Sequence, residues 1–142
     1  MIHIPIITNT LIFSAIALLH FYWALGGKAI SASVVPTTDS TGSFAFKPSP
    51  FATLVVAFGL VLFALVTLTP LRLFQEIISR DVVFYGNIGI ATIFFMRAIG
   101  DFRYVGFFKK IKDTPFARHD TRYYIPLCLF ISLNSSLILI YL

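Results

Sequence analysis

Charged residues are scarce in this chain of 142 residues. Lys and Arg together number 11 and Asp and Glu 6, so charged residues make up 12% of the sequence, whereas hydrophobic residues make up 58%. A soluble globular domain carries about 25% charged residues. The shortage excludes an ordinary water-soluble domain, and the length leaves room for a single domain.

Cysteine and recognisable catalytic motifs are scarce as well. Cys128 is the only cysteine, so no disulfide can form within the chain and cysteine usage does not indicate a compartment. The sequence has no H-E-x-x-H, G-x-S-x-G, P-loop or dinucleotide-binding motif, and neither a cofactor nor a metal is indicated. It also lacks basic motifs with nucleic-acid spacing, so basic membrane-protein loops explain the net charge of +5 better than nucleic-acid binding does.

Four long apolar stretches fill most of the chain, at residues 4–25, 51–68, 82–100 and 124–142. Each is close to the roughly 20 residues that a bilayer-crossing helix needs, and none alternates like a barrel strand. The pattern predicts an all-α fold, an integral membrane four-helix transmembrane bundle forming a single domain over residues 1–142. A polar loop at 28–50 and a basic loop at 101–123 connect the spans.

A short amphipathic interfacial helix is predicted between spans two and three. Thr69-Pro70 is typical of an N-cap followed by proline at the first helical position. Apolar residues then recur at helical spacing opposite polar ones, which is typical of a helix lying in the interface plane. The apolar set is Leu71, Phe74, Ile77 and Ile78, and the polar set is Arg72, Gln75, Glu76 and Arg80. The same residues are compatible with a continuation of span two past a kink.

Lys and Arg are distributed unequally between the two ends of the predicted bundle. The first connection and the third connection with its flanks hold two and seven of them, whereas the opposite end holds two. The positive-inside rule therefore predicts an inner-membrane protein with both connections in the cytoplasm and both termini outside.

A polar and aromatic cluster is predicted at this basic end. The candidate ligand-binding residues are Arg97, Asp101, Arg103, Arg118, Asp120, His20, Tyr22, Trp23 and Tyr124. Guanidinium groups pair bidentately with phosphate or carboxylate oxygens, so the arginines fit an anionic headgroup. In the simpler alternative, Arg97 snorkels to the interface, Asp101 or Asp120 neutralises it, and the aromatic residues form an interfacial belt.

Two further patterns have mainly structural interpretations. A stripe of Thr121, Tyr124, Cys128, Ser132 and Ser135 recurs at steps of three and four, which favours a helix–helix seam. Lys109-Lys110-Ile111-Lys112 is typical of a topology determinant that contacts anionic lipid. His20 and His119 lack metal-binding spacing and are better explained by local hydrogen bonds.

Three segments, His20–Gly27, Arg97–Lys110 and Phe116–Cys128, resemble the hallmark stretches of an uncharacterised bacterial family of small four-helix membrane proteins. That family is a domain of unknown function, and the resemblance implies a bacterial multi-pass protein without supplying an activity.

Three functions from different classes remain open. The leading hypothesis is a non-catalytic protein that binds an anionic lipid headgroup or a small amphiphile at the basic mouth. The second is a membrane enzyme acting on a lipid or isoprenoid, with Asp101 or Asp120 and His20 as acid–base or metal groups. The third is an accessory subunit of a larger membrane complex. The expected partners are accordingly membrane lipids, a second membrane protein or another copy of the chain.

Overall fold

The structure, a computed structural model, describes residues 2–28, 34–38, 44–45, 47–71 and 78–142. Its helices are α1 (His3–Ala24), α2 (Pro50–Leu68), α3 (Arg80–Ile99), α4 (Pro115–His119) and α5 (Ile125–Ile140). A 3₁₀ turn at Thr69–Leu71 extends α2, and a π-helical turn at Asp120–Tyr124 joins α4 to α5. Within the described ranges, the extended structure is limited to one antiparallel bridge between Thr37 and Phe44.

Four helical segments are long and apolar enough to cross a membrane: His3–Ala24, Pro50–Leu71, Arg80–Ile99 and Pro115–Ile140. At about 1.5 Å per residue, the shortest of them is about 30 Å long, which matches the hydrocarbon thickness of a bilayer. The predicted all-helical fold, with four helices long and apolar enough to span a membrane, is confirmed.

The helix ends follow ordinary capping chemistry. The hydroxyls of Ser49, Ser79 and Thr114 each accept a hydrogen bond from a backbone N–H in the first turn of α2, α3 and α4, respectively. Such caps satisfy donors that have no partner within the helix. At the end of α1, Gly26 adopts a positive φ of 95°, a conformation that favours glycine. The first span therefore ends at Ala24, next to the predicted limit at residue 25.

Two antiparallel helix pairs form the bundle, α1 with α2 and α3 with α5, and α1 also contacts α5. The centre of the core is Phe13, which is fully buried and whose ring contacts those of Phe63 and Phe94. Ile90 and Ile131 complete this layer from α3 and α5. The outward surfaces of the spans are lined with exposed apolar side chains, as expected where lipid replaces water.

The segment after span two differs from the prediction. Thr69 is not an N-cap: its backbone continues α2 in helical geometry, and its hydroxyl donates to the carbonyl oxygen of Leu65 at 3.0 Å. The 3₁₀ turn through Leu71 thus prolongs the second span. Residues 72–77, which carry most of the predicted amphipathic helix, lie outside the described residues.

The fourth span begins well before Tyr124, the start that hydrophobicity predicted. Thr114 caps a helix whose first residue is Pro115, and the helix runs without interruption into α5 through the π turn. Arg118, Asp120 and Arg122 therefore belong to a helix and not to the loop. This earlier start places their side chains at fixed positions around the end of the bundle.

Candidate functional site

A buried carboxylate, Asp120, organises the end of the bundle that carries most of the basic residues. It is fully buried. Its Oδ1 lies 3.0 Å from Nη2 of Arg97, and its Oδ2 lies 3.1 Å from Nζ of Lys109. The backbone N–H of Gly106 also donates to Oδ2, at 2.8 Å. One carboxylate thus joins the end of α3, the following loop and the start of the fourth span.

The local sequence explains the π-helical turn that begins at Asp120. Pro126 has no N–H, so it cannot donate back into the preceding turn as an α-helical residue would. The turn before it widens to π geometry, with the N–H of Ile125 donating to the carbonyl oxygen of Asp120. Such π turns are often found at functional positions in helices. Here the turn carries the Asp120 side chain at its first residue.

Lys109 is the buried cation of this cluster, with 3% of its side chain exposed. Its Nζ donates to the Gly106 carbonyl oxygen at 3.1 Å, to Asp120 at 3.1 Å and to the Thr121 hydroxyl at 2.7 Å. These contacts use all three ammonium donors. Lys109 is therefore an internal counter-ion of Asp120 and not a surface charge.

Arg97 pairs with Asp120 rather than with Asp101. Its side chain is 34% exposed, so it reaches from the end of α3 toward the interface while Nη2 holds the buried carboxylate. Its Nη1 is buried and has no hydrogen-bond partner among the described residues. Of the two carboxylates that the sequence suggested as partners of Arg97, the structure therefore shows Asp120. The Asp101 carboxylate accepts hydrogen bonds from the loop backbone instead.

Asp101 closes the loop that follows α3. Its Oδ1 accepts from the backbone N–H groups of Arg103, Tyr104 and Val105 at 2.9, 2.7 and 2.9 Å. Partial burial by itself would raise the pKa of this carboxyl, but the three backbone donors outweigh it and hold the pKa below its ordinary value. Asp101 is thus an acceptor for the loop backbone.

Two glycines allow this loop to fold back onto the end of α3. Gly100 and Gly106 have φ values of 94° and 88°, and a Cβ at Gly100 would lie 1.7 Å from the carbonyl oxygen of Val105. The fold-back brings the N–H groups of Phe107 and Phe108 to the carbonyl oxygens of Ala98 and Ile99, at 2.9 and 3.4 Å. The last turn of α3 is capped in this way by its own following loop.

A cleft of about 500 Å³ opens beside the charge cluster. We name it the basic cleft. It is lined by Phe107, Lys109, Lys112, Ala117, Arg118, Thr121, Arg122 and Ile125. A second cleft of about 450 Å³ lies across the loop and is lined by Asp101, Phe102, Arg103, Lys110 and Ile111.

The predicted arginine pocket is therefore divided. Arg118 lines the basic cleft, and Arg103 lines the second cleft, with its guanidinium 5.1 Å from the centre of the Tyr104 ring. Arg97 belongs to the ion-pair cluster and lines neither cleft. The three arginine side chains belong to the same end of the bundle, but they do not line a common cleft.

The aromatic and histidine candidates line neither cleft. Tyr124 contacts Phe116 with ring centres 6.1 Å apart, and Tyr22 is exposed near the end of α1. His20 meets the Trp23 ring edge-on at 5.2 Å.

The two histidines at this end donate to their own helices. Nδ1 of His20 bonds the carbonyl oxygen of Ile16, and Nδ1 of His119 bonds that of Pro115. In the described part of the chain, no group of three or more His, Cys, Asp or Glu side chains is placed to hold a metal ion.

Buried asparagines form a polar seam that sequence inspection missed. Nδ2 of Asn134 donates to the Thr8 hydroxyl and to Oδ1 of Asn9, both at 3.1 Å, and Asn9 in turn bonds Ser135 at 3.1 Å. Ser132 bonds the Ala91 carbonyl oxygen at 2.9 Å. The polar stripe of the last span is thus a helix–helix seam, because Ser132 joins α3 and Ser135 joins α1.

Four apolar helices of spanning length, with polar groups gathered inside the bundle and at one end, define a multi-pass membrane protein. The chain belongs to the family described as "protein of unknown function (DUF3995)", whose model matches residues 13–134. This confirms the resemblance to an uncharacterised family. No curated protein and no solved structure matches the chain.

Proposed function

We propose that this protein binds the headgroup of an anionic lipid, or of a small anionic amphiphile, in the basic cleft. The observation that carries the proposal is the charge of the lining. Lys112, Arg118 and Arg122 line the cleft, and none of them forms an ion pair with another described residue. An anion would supply the missing counter-charge.

The fourth cation of the lining, Lys109, does not compete for that anion. Its ammonium is already bound by Asp120, Thr121 and a backbone carbonyl. The Asp120 carboxylate is likewise occupied on both oxygens, so it does not repel an incoming anion as a free carboxylate would. The charge left for a ligand is that of the two arginines and Lys112.

Helix geometry places the side chains of Arg118 and Arg122 next to each other. Arg118 and Arg122 are four residues apart on the fourth span, so their side chains leave the helix on the same side. Both line the cleft with Thr121 and Ile125. Guanidinium groups placed in this way suit phosphate oxygens, because each can donate two parallel hydrogen bonds.

The rest of the lining fits a lipid rather than a free ion. Phe107, Ala117 and Ile125 give the cleft an apolar wall, and its volume falls within the range of about 300–1,000 Å³ for small-molecule sites. The cleft also lies at the end of a membrane span, where headgroups are found. An amphiphile would place its phosphate on the arginines and its first methylenes on the apolar wall.

Ligand binding in the basic cleft gives the predicted site residues different roles from those expected. Arg118 stays in the binding set, joined by Arg122 and Lys112. Arg97, Asp101 and Asp120 become positioning residues that fix the loop and helix around the cleft. This assignment occupies both carboxylates within the protein, which weakens the enzyme hypothesis because it would use one of them as an acid–base group.

The proposal includes the orientation of the chain. Nine of the 11 Lys and Arg residues belong to the end that carries the basic cleft. The positive-inside rule places this end in the cytoplasm, with both termini on the other side of an inner membrane. Reporter fusions at each end would test this orientation. If a reporter that is active only in the cytoplasm works when fused after Leu142, the proposed orientation is wrong.

Lipid binding can be measured on the detergent-solubilised protein with a phosphatidic acid that carries a fluorophore on its acyl chain. We expect it to bind better than equally labelled phosphatidylcholine. Arg118→Gln removes a charge-assisted contact worth about 1.5–3 kcal/mol, which predicts at least about tenfold weaker binding. Lys112→Gln should weaken binding by a smaller factor, since an ammonium lacks the bidentate fork.

Lys47→Gln is the matched control for Lys112→Gln. Lys47 is exposed just before α2, at the same end of the bundle but outside the basic cleft. Its removal lowers the net charge equally and should leave binding unchanged. If Lys47→Gln and Lys112→Gln weaken binding by the same factor, general electrostatic attraction explains the affinity and the site proposal is wrong.

A further inference from the structure

The loop after α3 has its polarity inverted relative to a loop in water. We name residues 100–112 the aromatic loop. Phe102, Phe107 and Phe108 are 58%, 56% and 62% exposed, whereas Lys109 in the same loop is 4% exposed. Loops in water normally expose lysine and bury phenylalanine. The arrangement fits surroundings that are themselves partly apolar.

The backbone holds these rings outward in a defined conformation. Asp101 ties down the three residues that follow Phe102, and the N–H groups of Phe107 and Phe108 bond the end of α3. Phe102 itself has a positive φ of 62°, which non-glycine residues rarely adopt. The rings of Phe102 and Phe108 stack with their centres 6.0 Å apart. Their exposure is therefore a built feature of the loop and not the result of a loose chain.

The position of the loop identifies what these rings meet. It begins directly after the span Arg80–Ile99 and ends just before the span Pro115–Ile140. Both of its ends are therefore held at the same membrane surface. Tyr and Trp are enriched at this depth, and interfacial segments also bury Phe and Leu side chains at the boundary between headgroups and acyl chains.

The charges of the loop indicate the kind of lipid. Arg103, Lys110 and Lys112 are exposed among the aromatic residues. Asp101, the one acidic residue of the loop, is engaged by backbone N–H groups. Exposed cations beside exposed rings complement a surface of anionic headgroups above acyl chains.

We propose that the aromatic loop is an interfacial anchor, which inserts Phe102, Phe107 and Phe108 into the anionic leaflet at its end of the bundle. The cations of the loop lie at headgroup level while the rings reach the upper acyl chains. This contact is with the bulk leaflet, so it goes beyond the binding of one molecule in the basic cleft. An anchor of this kind would fix the tilt of α3 and the depth of the cleft relative to the bilayer.

Tryptophan fluorescence tests the insertion. The variant Trp23→Phe removes the only tryptophan, and Phe108→Trp or Phe107→Trp then places a single reporter on the loop. The protein is reconstituted in vesicles of phosphatidylcholine and phosphatidylglycerol, in which the acyl chains are brominated near the headgroup or near the methyl end. We expect strong quenching by shallow bromines, weaker quenching by deep ones and poor quenching by aqueous acrylamide.

Asp113→Trp in the same background is the control, because Asp113 is an exposed charged residue just after the loop. Acrylamide should quench it more strongly, and shallow bromolipids less strongly, than the loop reporters. The proposal is overturned if the loop reporters behave like this control. It is also overturned if they resist both quenchers, which would mean that a second copy or another protein covers the rings. Equal quenching in vesicles of phosphatidylcholine alone would overturn the assignment to an anionic leaflet.

Discussion

The ion pairs of Asp120 with Arg97 and Lys109 allow a quantitative prediction for the substitution Asp120→Asn. Both carboxylate oxygens accept from donors, so either orientation of the amide places an NH₂ group against another donor. The substitution also leaves Lys109 and Arg97 without their counter-ion. The loss should destabilise the end of the bundle without changing the apolar core.

The magnitude follows from the burial of the two cations. Removing one partner of a buried ion pair costs about 3–5 kcal/mol, because the remaining charge is uncompensated. Lys109, with 3% of its side chain exposed, meets this condition, whereas Arg97, at 34%, can turn toward water or headgroups. We therefore expect about 3 kcal/mol, from the lower end of that range, most of it due to Lys109.

Unfolding by sodium dodecyl sulfate in mixed micelles, followed by circular dichroism, measures this free energy. Asp113→Asn removes a carboxylate that is exposed in the neighbouring loop and should change stability by less than about 0.5 kcal/mol. The double variant Asp120→Asn with Lys109→Met removes the stranded cation and should recover at least half of the loss. The reasoning is refuted if Asp120→Asn matches Asp113→Asn, or if Lys109→Met adds to the destabilisation instead of relieving it.

Three further outcomes can be checked on the same protein. Gly100→Ala should destabilise by about 2–4 kcal/mol in the same assay, since the methyl group meets a loop carbonyl at positive φ, while Gly59→Ala in open space on α2 should be neutral or stabilising by up to about 1 kcal/mol. Asn134→Leu should cost about 1–2 kcal/mol, because it removes two hydrogen bonds across the α1–α5 seam; an unchanged stability would remove the seam as a stabilising element. The lowered pKa of Asp101 means that its contribution is complete above the unfolded-state pKa and is lost as the pH falls through the folded-state pKa, below the ordinary 3.8. Amide exchange at residues 103–105 should therefore accelerate on acidification in the wild type, relative to its intrinsic rate, and show no such step in Asp101→Asn.

The architecture could be predicted because the bilayer imposes it. Apolar runs of spanning length must form helices, and Gly26 marks the end of the first one, so these features follow from composition and local chemistry. The fourth span was predicted to start at Tyr124 instead of Pro115, because the prediction used hydrophobicity alone. The pair Thr114-Pro115 is the same cap signal as Ser49-Pro50 before α2, and it would have located the start.

The charge cluster depended on tertiary geometry that local patterns do not contain. Lys109 lies in a run of lysines that is typical of a solvated surface, and only the fold-back permitted by Gly100 and Gly106 turns it inward. Asp101 was a reasonable partner for Arg97 by helical spacing, but α3 ends at Ile99, and the following loop takes the carboxylate as its own acceptor.

The asparagine seam was missed for a related reason. Asn9 and Asn134 are 125 residues apart, and nothing local shows that their helices face each other. A polar amide inside an apolar stretch is nevertheless a signal in itself, because a bilayer offers it no partner. Such amides in two different spans could have been paired as a hypothesis.

The most direct test of the central claim is native mass spectrometry of the protein released from gently extracted membranes, with identification of any small molecule that stays bound. We predict one retained anionic amphiphile per chain, present in Lys47→Gln and lost in the double variant Arg118→Gln with Arg122→Gln. A chain that arrives bare, or one that retains the same amphiphile in the double variant, would contradict binding in the basic cleft.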